Sequence, residues 1–384
     1  MTGGGPDCAH NTLGTGRGKG ACPAPGVAID SPVMLRIGIL LGDDIGLEVV
    51  PEAVKVIKAA AAKTGLEIMW QALPIGKRGH ELHGNTLPPV TAQALEHCDG
   101  WIMGPIGHSA YPRNDPTWVM PPVRKRFQLF ASIKPVKSYP NIPSVHKNVD
   151  IVFLREVNEG LMSSSVVIAG SGEFRPNDEI SIGMRVITRK GANRVAREAF
   201  EIARTRPRRQ VNAVHKEPVY RLCCGMFAEE ARKVAKEFPD VRFGETMVDT
   251  MCMKLVMNPQ QYDVVVTSNQ FGDMITDEGA GLVGGLGLAP GLCAGERQAM
   301  AQATHGSAPD IAGRNIANPY AMIMSGKMLI EWLGRKRGEE KATQAAKLID
   351  AAMDRVIAEA KHLTADLGGK ASTTQMGDAV AAAV

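Results

Sequence analysis

One stretch, Tyr262 to Pro290, limits what this chain can fold into more than any other. Tyr262 to Thr267 is a valine-rich run, the pattern of a buried strand. It breaks into polar residues and then reaches Asp273 and Asp277. Residues four apart on a helix project from one face, so both carboxylates would point the same way. Two acids on one face repel each other unless a cation lies between them, and a divalent cation is the natural guest for such oxygen ligands. A solvated helix face that carries two acids meets the same spacing, so the rest of the chain has to supply the chemistry. The end of the stretch, Gly279 to Gly295, is uncharged, rich in glycine and contains Pro290. It reads as a loop or turn region rather than a membrane span.

At 384 residues the chain has room for two domains or one large α/β unit. A net charge of +4 and the absence of a basic-aromatic stripe give no reason to expect nucleic acid as a partner. No membrane partner is expected. The seven cysteines are scattered, without C-x-x-C or zinc spacing. Reduced thiols in a cytoplasmic protein are the expectation. Residues 1–33 are Gly, Pro and polar residues without periodicity, expected to be a disordered leader with no secretory h-region. Translation could start at Met1 or Met34.

Leu35 to Leu41 reads as a strand, Gly42 to Gly46 as a turn, and a helix runs from about Leu47 to Gly65. That is the opening of a βαβ unit. Glu67 to Leu73 and Trp101 to Gly104 read as strands. Tyr111 to Pro122 reads as irregular and precedes the basic cluster Arg124, Lys125, Arg126, with Lys134 following. Asp150 to Arg155 is a buried strand ending on an arginine, and Gln210 to His215 a strand that delivers Lys216. Glu179 to Thr188 reads as a strand or hairpin arm, and Lys190 to Thr205 as a helix. Thr246 to Met257 reads as a helix with Val248, Met251, Cys252, Leu255 and Val256 on one face, beside Asp249. Helices from about Pro319 to Gly334 and Lys341 to Leu363 close the chain. Alternating strands and helices predict an α/β fold, a mixed, largely parallel sheet. Gly279, Gly281 and Gly284 match G-x-G-x-x-G, but acids and a helix precede them where a dinucleotide fingerprint needs a strand.

Three collinear segments carry a resemblance: Thr304 to Pro319 (T-H-G-S-A-P-D-I-A-G-R-N-I-A-N-P), Asn269 to Asp277 (N-Q-F-G-D-M-I-T-D) and Val248 to Pro259. From about Met34 to the C-terminus the chain resembles the β-decarboxylating dehydrogenases, the isocitrate/isopropylmalate dehydrogenase family. It is nearer the isopropylmalate, tartrate and D-malate type than the isocitrate type. The resemblance implies an isopropylmalate dehydrogenase-like fold of two domains, residues 34–130 with 284–384 and residues 131–283, with the active site in the cleft between them. It implies a homodimer with shared active sites. Asp273 and Asp277 would bind Mg²⁺ or Mn²⁺, with Asp249 reaching in from the partner subunit. Arg124, Lys134 and Arg155 would hold substrate carboxylates. Lys216, also from the partner, would serve as base or proton relay. His305, Gly306, Ser307, Ala308, Asp310, Ile311 and Asn318 would bind the adenosine end of NAD. An acid at 310 can hydrogen-bond the ribose hydroxyls and repels a 2′-phosphate.

The chain also departs from the family pattern. Met162 stands where a tyrosine is usual, Lys216-Glu217-Pro218 replaces Lys-Ala-Asn, Lys134 replaces an arginine and Gln302 a glutamate. Asp44 and Leu47 alter the usual opening turn. Trp118 and Met120 occupy positions where isocitrate enzymes contact the third carboxylate. As substrate-pocket residues they disfavour isocitrate, because a carboxylate against apolar walls is unpaired; as core or lid residues they would decide nothing. The expected reaction is NAD- and metal-dependent oxidation of a malate-like 2-hydroxy diacid, with β-decarboxylation. The alternative is a weakened, regulatory homologue that binds a diacid or nucleotide without turnover.

Overall fold

The computed structural model describes Met1, residues 34–107, Tyr111, 120–162 (backbone only for 120–122) and 172–384. In chain order the strands are β1 Leu35–Leu40, β2 Ile68–Ala72, β3 Gly100–Met103, β4 Ala131–Lys137, β5 Asp150–Glu156, β6 Glu173–Asn177, β7 Ile180–Gly183, β8 Gln210–His215, β9 Arg242–Met247, β10 Val264–Thr267, β11 Leu292–Ala294 and β12 Ala299–Ala301. The helices are α1 Gly46–Thr64, α2 Gly76–His83, α3 Pro89–Leu95, α4 Met120–Arg126, α5 Arg189–Arg204, α6 Cys223–Ala235, α7 Val248–Met257, α8 Asn269–Val283, α9 Tyr320–Arg337, α10 Glu340–Glu359 and α11 Thr373–Ala383.

One sheet runs in the order β2-β1-β3-β12-β11-β4-β5-β10-β8-β9, and β6-β7 form a separate hairpin. Pairing is parallel except around β11 and β4, where β12, β11, β4 and β5 are mutually antiparallel in succession. The α/β class read from the alternation therefore holds. The β10 valines are all buried, as a strand with parallel neighbours and helices on its faces requires. Among the described residues no helix is long and apolar enough to cross a membrane.

Four expectations change. Gly279–Val283 is not loop but the last turns of α8, and Leu292–Ala294 is a strand. Glycine is a poor helix former, but a Cβ on Gly279 would lie 2.7 Å from Phe153 Cε2, so packing against the sheet decides. Thr246 and Met247 belong to β9, and α7 buries only Met251 and Leu255 fully; Val256 is exposed. Met120–Pro122 opens α4 instead of ending an irregular stretch. The last long helix stops at Glu359, where Ala360 takes the left-handed conformation.

Glu156 closes β5 as a buried carboxylate. Burial and the neighbouring Glu159 push its pKa up to about 7, against the pull of the Asn158 and Glu159 backbone N–H groups and Arg194. A carboxyl raised in the folded state holds its proton longer than in the unfolded chain. Its contribution to stability is therefore full below about pH 4.5 and is lost as pH rises through 7. Glu156→Gln should gain stability relative to the natural chain by about 1–3 kcal/mol between pH 5 and pH 8, read by chemical denaturation at both pH values. A difference that does not change with pH would refute this assignment.

Candidate active site

Strand pairing gathers the first set of side chains. In the β4–β5 ladder Ser132 lies opposite Arg155 and Lys134 opposite Phe153. Residues two apart share a face, and so do cross-strand partners. Ser132, Lys134, Phe153 and Arg155 thus project from one face of the sheet, and β11 adds Cys293 opposite Ser132.

Helix α8 lies on that face. A Cβ at Gly272 would meet Arg155 Cβ and Cγ at 2.7 Å, and Gly279 packs on Phe153, so two glycines two turns apart let the helix approach. Asn269, in its first turn, accepts from Arg155 Nε at 2.8 Å and Nη2 at 2.6 Å, and its own amide donates to the Glu159 carbonyl at 2.7 Å. Arg155 Nη1 contacts Asp273 Oδ1. Lys134 Nζ donates to Thr276 Oγ1 at 3.0 Å and lies 3.5 Å from Asp277 Oδ1. The two aspartates expected on one helix face therefore do share it, Asp273 opposite the buried Arg155 and Asp277 opposite the half-buried Lys134.

These groups line a cavity of about 280 Å³ with Arg124, Ser132, Cys293, Gln302, Thr304 and His305 among its walls. Burial draws the pKa of Arg155 down, opposed by Asp273, with Arg124 adding to the decrease. Burial also lowers Lys134, opposed by Asp277. Met162 stands half exposed with its sulfur 3.7 Å from Arg155 Nη2. Trp118 lies outside the described residues, as does the side chain of Met120.

Two partly exposed carboxylates facing a polar cavity offer hard oxygen ligands, a donor set that fits Mg²⁺ or Mn²⁺. The nucleotide expectation meets a second cavity, about 540 Å³, which shares His305 and Gly306 with the first. Ile45, Ala308, Ile311, Asn318 and Asp366 also line it. His305 Nδ1 lies 3.0 Å from the Gly306 carbonyl, which can only accept, so Nδ1 carries the proton. Burial lowers the His305 pKa, which favours the neutral ring and leaves Nε2 as an acceptor. Nε2, Thr304 Oγ1 and Arg124 Nε are buried without a hydrogen-bond partner among the described residues. Such atoms fit a site whose ligand completes the bonding.

Other expected residues sit apart. Ser307 is buried, and its carbonyl accepts from Ile45 N–H at 3.1 Å, tying the loop to the start of α1. Asp310 is exposed beside Ile311 and is not a wall of the cavity. Asn318 has both amide ends engaged, donating to Asp366 at 2.9 Å and accepting from Tyr320 N–H at 2.9 Å. Lys216 and Asp249 pair with each other at 2.7 Å, and neither lines the cavity of its own chain. Lys216 holds the Asp249 carboxyl below its usual range.

Asn269, Cys293 and Asp366 were not anticipated as site residues. Asn269 could have been found, because it opens the same motif as Asp273. Cys293 had no signal, because its strand reads as loop.

Comparison with known proteins identifies the family. The model of the family described as isocitrate/isopropylmalate dehydrogenase matches residues 36–380. The 3-isopropylmalate dehydrogenase of Archaeoglobus fulgidus is 36% identical over 348 residues, covering 91% of this chain and 99% of that protein. The isocitrate/homoisocitrate dehydrogenase of Thermus thermophilus is 37% identical over 356 residues, covering 91% and 98%. The crystal structure of isocitrate dehydrogenase from Methylococcus capsulatus superposes with a TM-score of 0.79 at 35% identity, covering 91% and 99%. With a family match over nearly its whole length and relatives of this similarity, the chain belongs to the isocitrate/isopropylmalate dehydrogenase family.

Proposed function

We propose that this protein is an NAD- and Mg²⁺- or Mn²⁺-dependent oxidoreductase. It oxidises a malate-like 2-hydroxy diacid and β-decarboxylates the product, as a homodimer with shared active sites. The cavity carries this reading: Arg124, Lys134 and Arg155 converge on it beside Asp273, Asp277 and the His305–Gly306 turn. Three cations suit two carboxylates, and the planar guanidinium pairs with a carboxylate bidentately. Ile106 and Leu292 in the wall favour a small or apolar 3-substituent, since a third carboxylate there would lack a partner. The names of the relatives, 3-isopropylmalate and isocitrate/homoisocitrate dehydrogenase, bracket this substrate class. The exposed Asp310 beside Ile311 favours NAD over NADP.

Arg124, Arg155 and Lys134 hold the diacid and orient its hydroxyl-bearing carbon, with Asn269 fixing the Arg155 fork. Asp273 and Asp277, with Asp249 of the partner subunit, hold the divalent ion. When bound, that ion supplies Lewis-acid stabilisation of the 2-oxygen, and NAD supplies the hydride acceptor. Lys216 of the partner subunit takes the hydroxyl proton; its absence from the cavity of its own chain supports a shared site. Met162 has no proton to give, so another group protonates the decarboxylated product. The strands of residues 34–130 and 284–384 fill one end of the sheet order and those of 131–283 the other, which supports the division into two domains meeting at β11 and β4.

The test is a panel of 2-hydroxy diacids with Mn²⁺ and either NAD or NADP, following NADH and CO₂ separately. Equal release of both is expected; NADH alone would remove the decarboxylation, and no turnover on any diacid would favour the regulatory alternative. Asp277→Asn should lower kcat at least about a hundredfold, the scale of losing a preorganised electrostatic contact. Calorimetric Mn²⁺ binding should weaken with it, and unchanged Mn²⁺ affinity would exclude Asp277 as a ligand.

Lys134 is held below the usual lysine pKa, chiefly by burial. Its positive charge is therefore lost at a lower pH than that of free lysine, and diacid binding should weaken with it. Lys134→Arg should move the alkaline limb of the kcat/KM profile to higher pH. An unmoved limb would mean that Lys134 does not hold the substrate.

A further inference from the structure

Lys216 leaves β8 between two residues that take part in a closed ring of charged groups. His215 is buried, and its Nδ1 accepts from the Glu217 backbone N–H at 3.2 Å. That leaves the proton on Nε2, which donates to Glu245 Oε1 on β9 at 3.0 Å. Arg232 of α6 donates from Nε to the same carboxylate's Oε2 at 3.0 Å, and its Nη2 lies 2.9 Å from Oε1. Its Nη2 also reaches Glu217 Oε2 at 2.6 Å, which closes the ring. His215, Glu217 and Glu245 have ligand atoms within 4.8 Å of one another. Arg232 already pairs with both carboxylates and His215 donates to one of them, so the cluster is read as an ion ring rather than a cation site.

β8 ends at His215 and the chain turns from Glu217 on. The side chains of His215 and Glu217 are tied into the ring, and Lys216 is left to meet Asp249 at 2.7 Å. Pro218 locks its own φ within this turn. The Lys216 carbonyl accepts from the N–H groups of Val219 at 3.1 Å and Tyr220 at 2.9 Å. The backbone is thus fixed before, at and after the lysine. Arg232 pairs with two carboxylates through a planar fork, which holds orientation as well as charge.

We propose that the His215–Glu245–Arg232–Glu217 ring is the positioning device for Lys216, with Glu217 and Arg232 acting through the lysine without touching substrate. This rests on the reading of Lys216 as the proton-transfer lysine. The departure Glu217-Pro218 then has a purpose: it ties the residue after the lysine to α6.

The test compares the full-length enzyme with Glu217→Gln, Arg232→Gln and Arg232→Lys. Glu217→Gln and Arg232→Gln should lower kcat about ten- to a hundredfold, the scale of an ångström of misplacement. KM for diacid and NAD should stay within about twofold. Arg232→Lys should recover part of the loss, since it keeps the charge but not the fork. Arg197→Gln breaks an exposed 2.7 Å pair to Glu237 and serves as the control with unchanged kcat. A crystal structure of Glu217→Gln should show Lys216 Nζ withdrawn from Asp249. Unchanged kcat with that contact intact, or a loss confined to melting temperature, would overturn the proposal. A natural enzyme inactive on every diacid would instead defeat the reading of the site, and the crystallographic arm would still decide the role of the ring.

Discussion

The close seating of α8 on the β4–β5 pair is the constraint on which the site depends. Burying Arg155 is costly unless its donors are satisfied. Asn269 and Asp273 satisfy them from the same helix, and only because Gly272 lets that helix come near enough. The packing that buries the arginine also sets Asp273 and Asp277 against the cavity. Structural and chemical roles are carried here by the same contacts.

The antiparallel insertion of β11 and β4 in the middle of a parallel sheet has a related effect. It brings Cys293, Ser132, Lys134 and Arg155 onto one face at the junction of the two halves of the sheet. Lys216 and Asp249 pair beyond β10 and are not part of that cavity. One chain thus lines the cavity with Arg124, Lys134, Arg155, Asp273 and Asp277, while the Lys216–Asp249 pair lies apart from it. The two-chain site proposed above joins the two sets.

Much of this was legible in residue order. The valine runs and the glycine turn identified β1, α1, β5, β8 and β10, because a strand inside a sheet covered by helices cannot hide its apolar composition. Arg155 and Lys216 were recognisable because polar residues at strand ends stand out from such runs. The β11 and β12 strands were not legible: three residues each, without alternation, next to glycines that look like turn residues. Gly279 misled for the same reason, since its role is to receive Phe153 and not to bend the chain. Val256 seemed to continue the apolar face of α7, yet it is exposed, because periodicity records a stripe and not what covers it.

The sequence by itself determined the α/β class, the order of the site motifs and the family, since these depend on local pattern and on collinear residues. Tertiary structure alone decided which cation meets which acid, and that the neutral His305 turns Nε2 inward as an acceptor. It also decided that Glu217, an unexplained departure in the sequence, closes a ring with Arg232. Those are contacts between residues distant in the chain or on different elements, and their energies depend on burial and distance, which one-dimensional spacing does not carry.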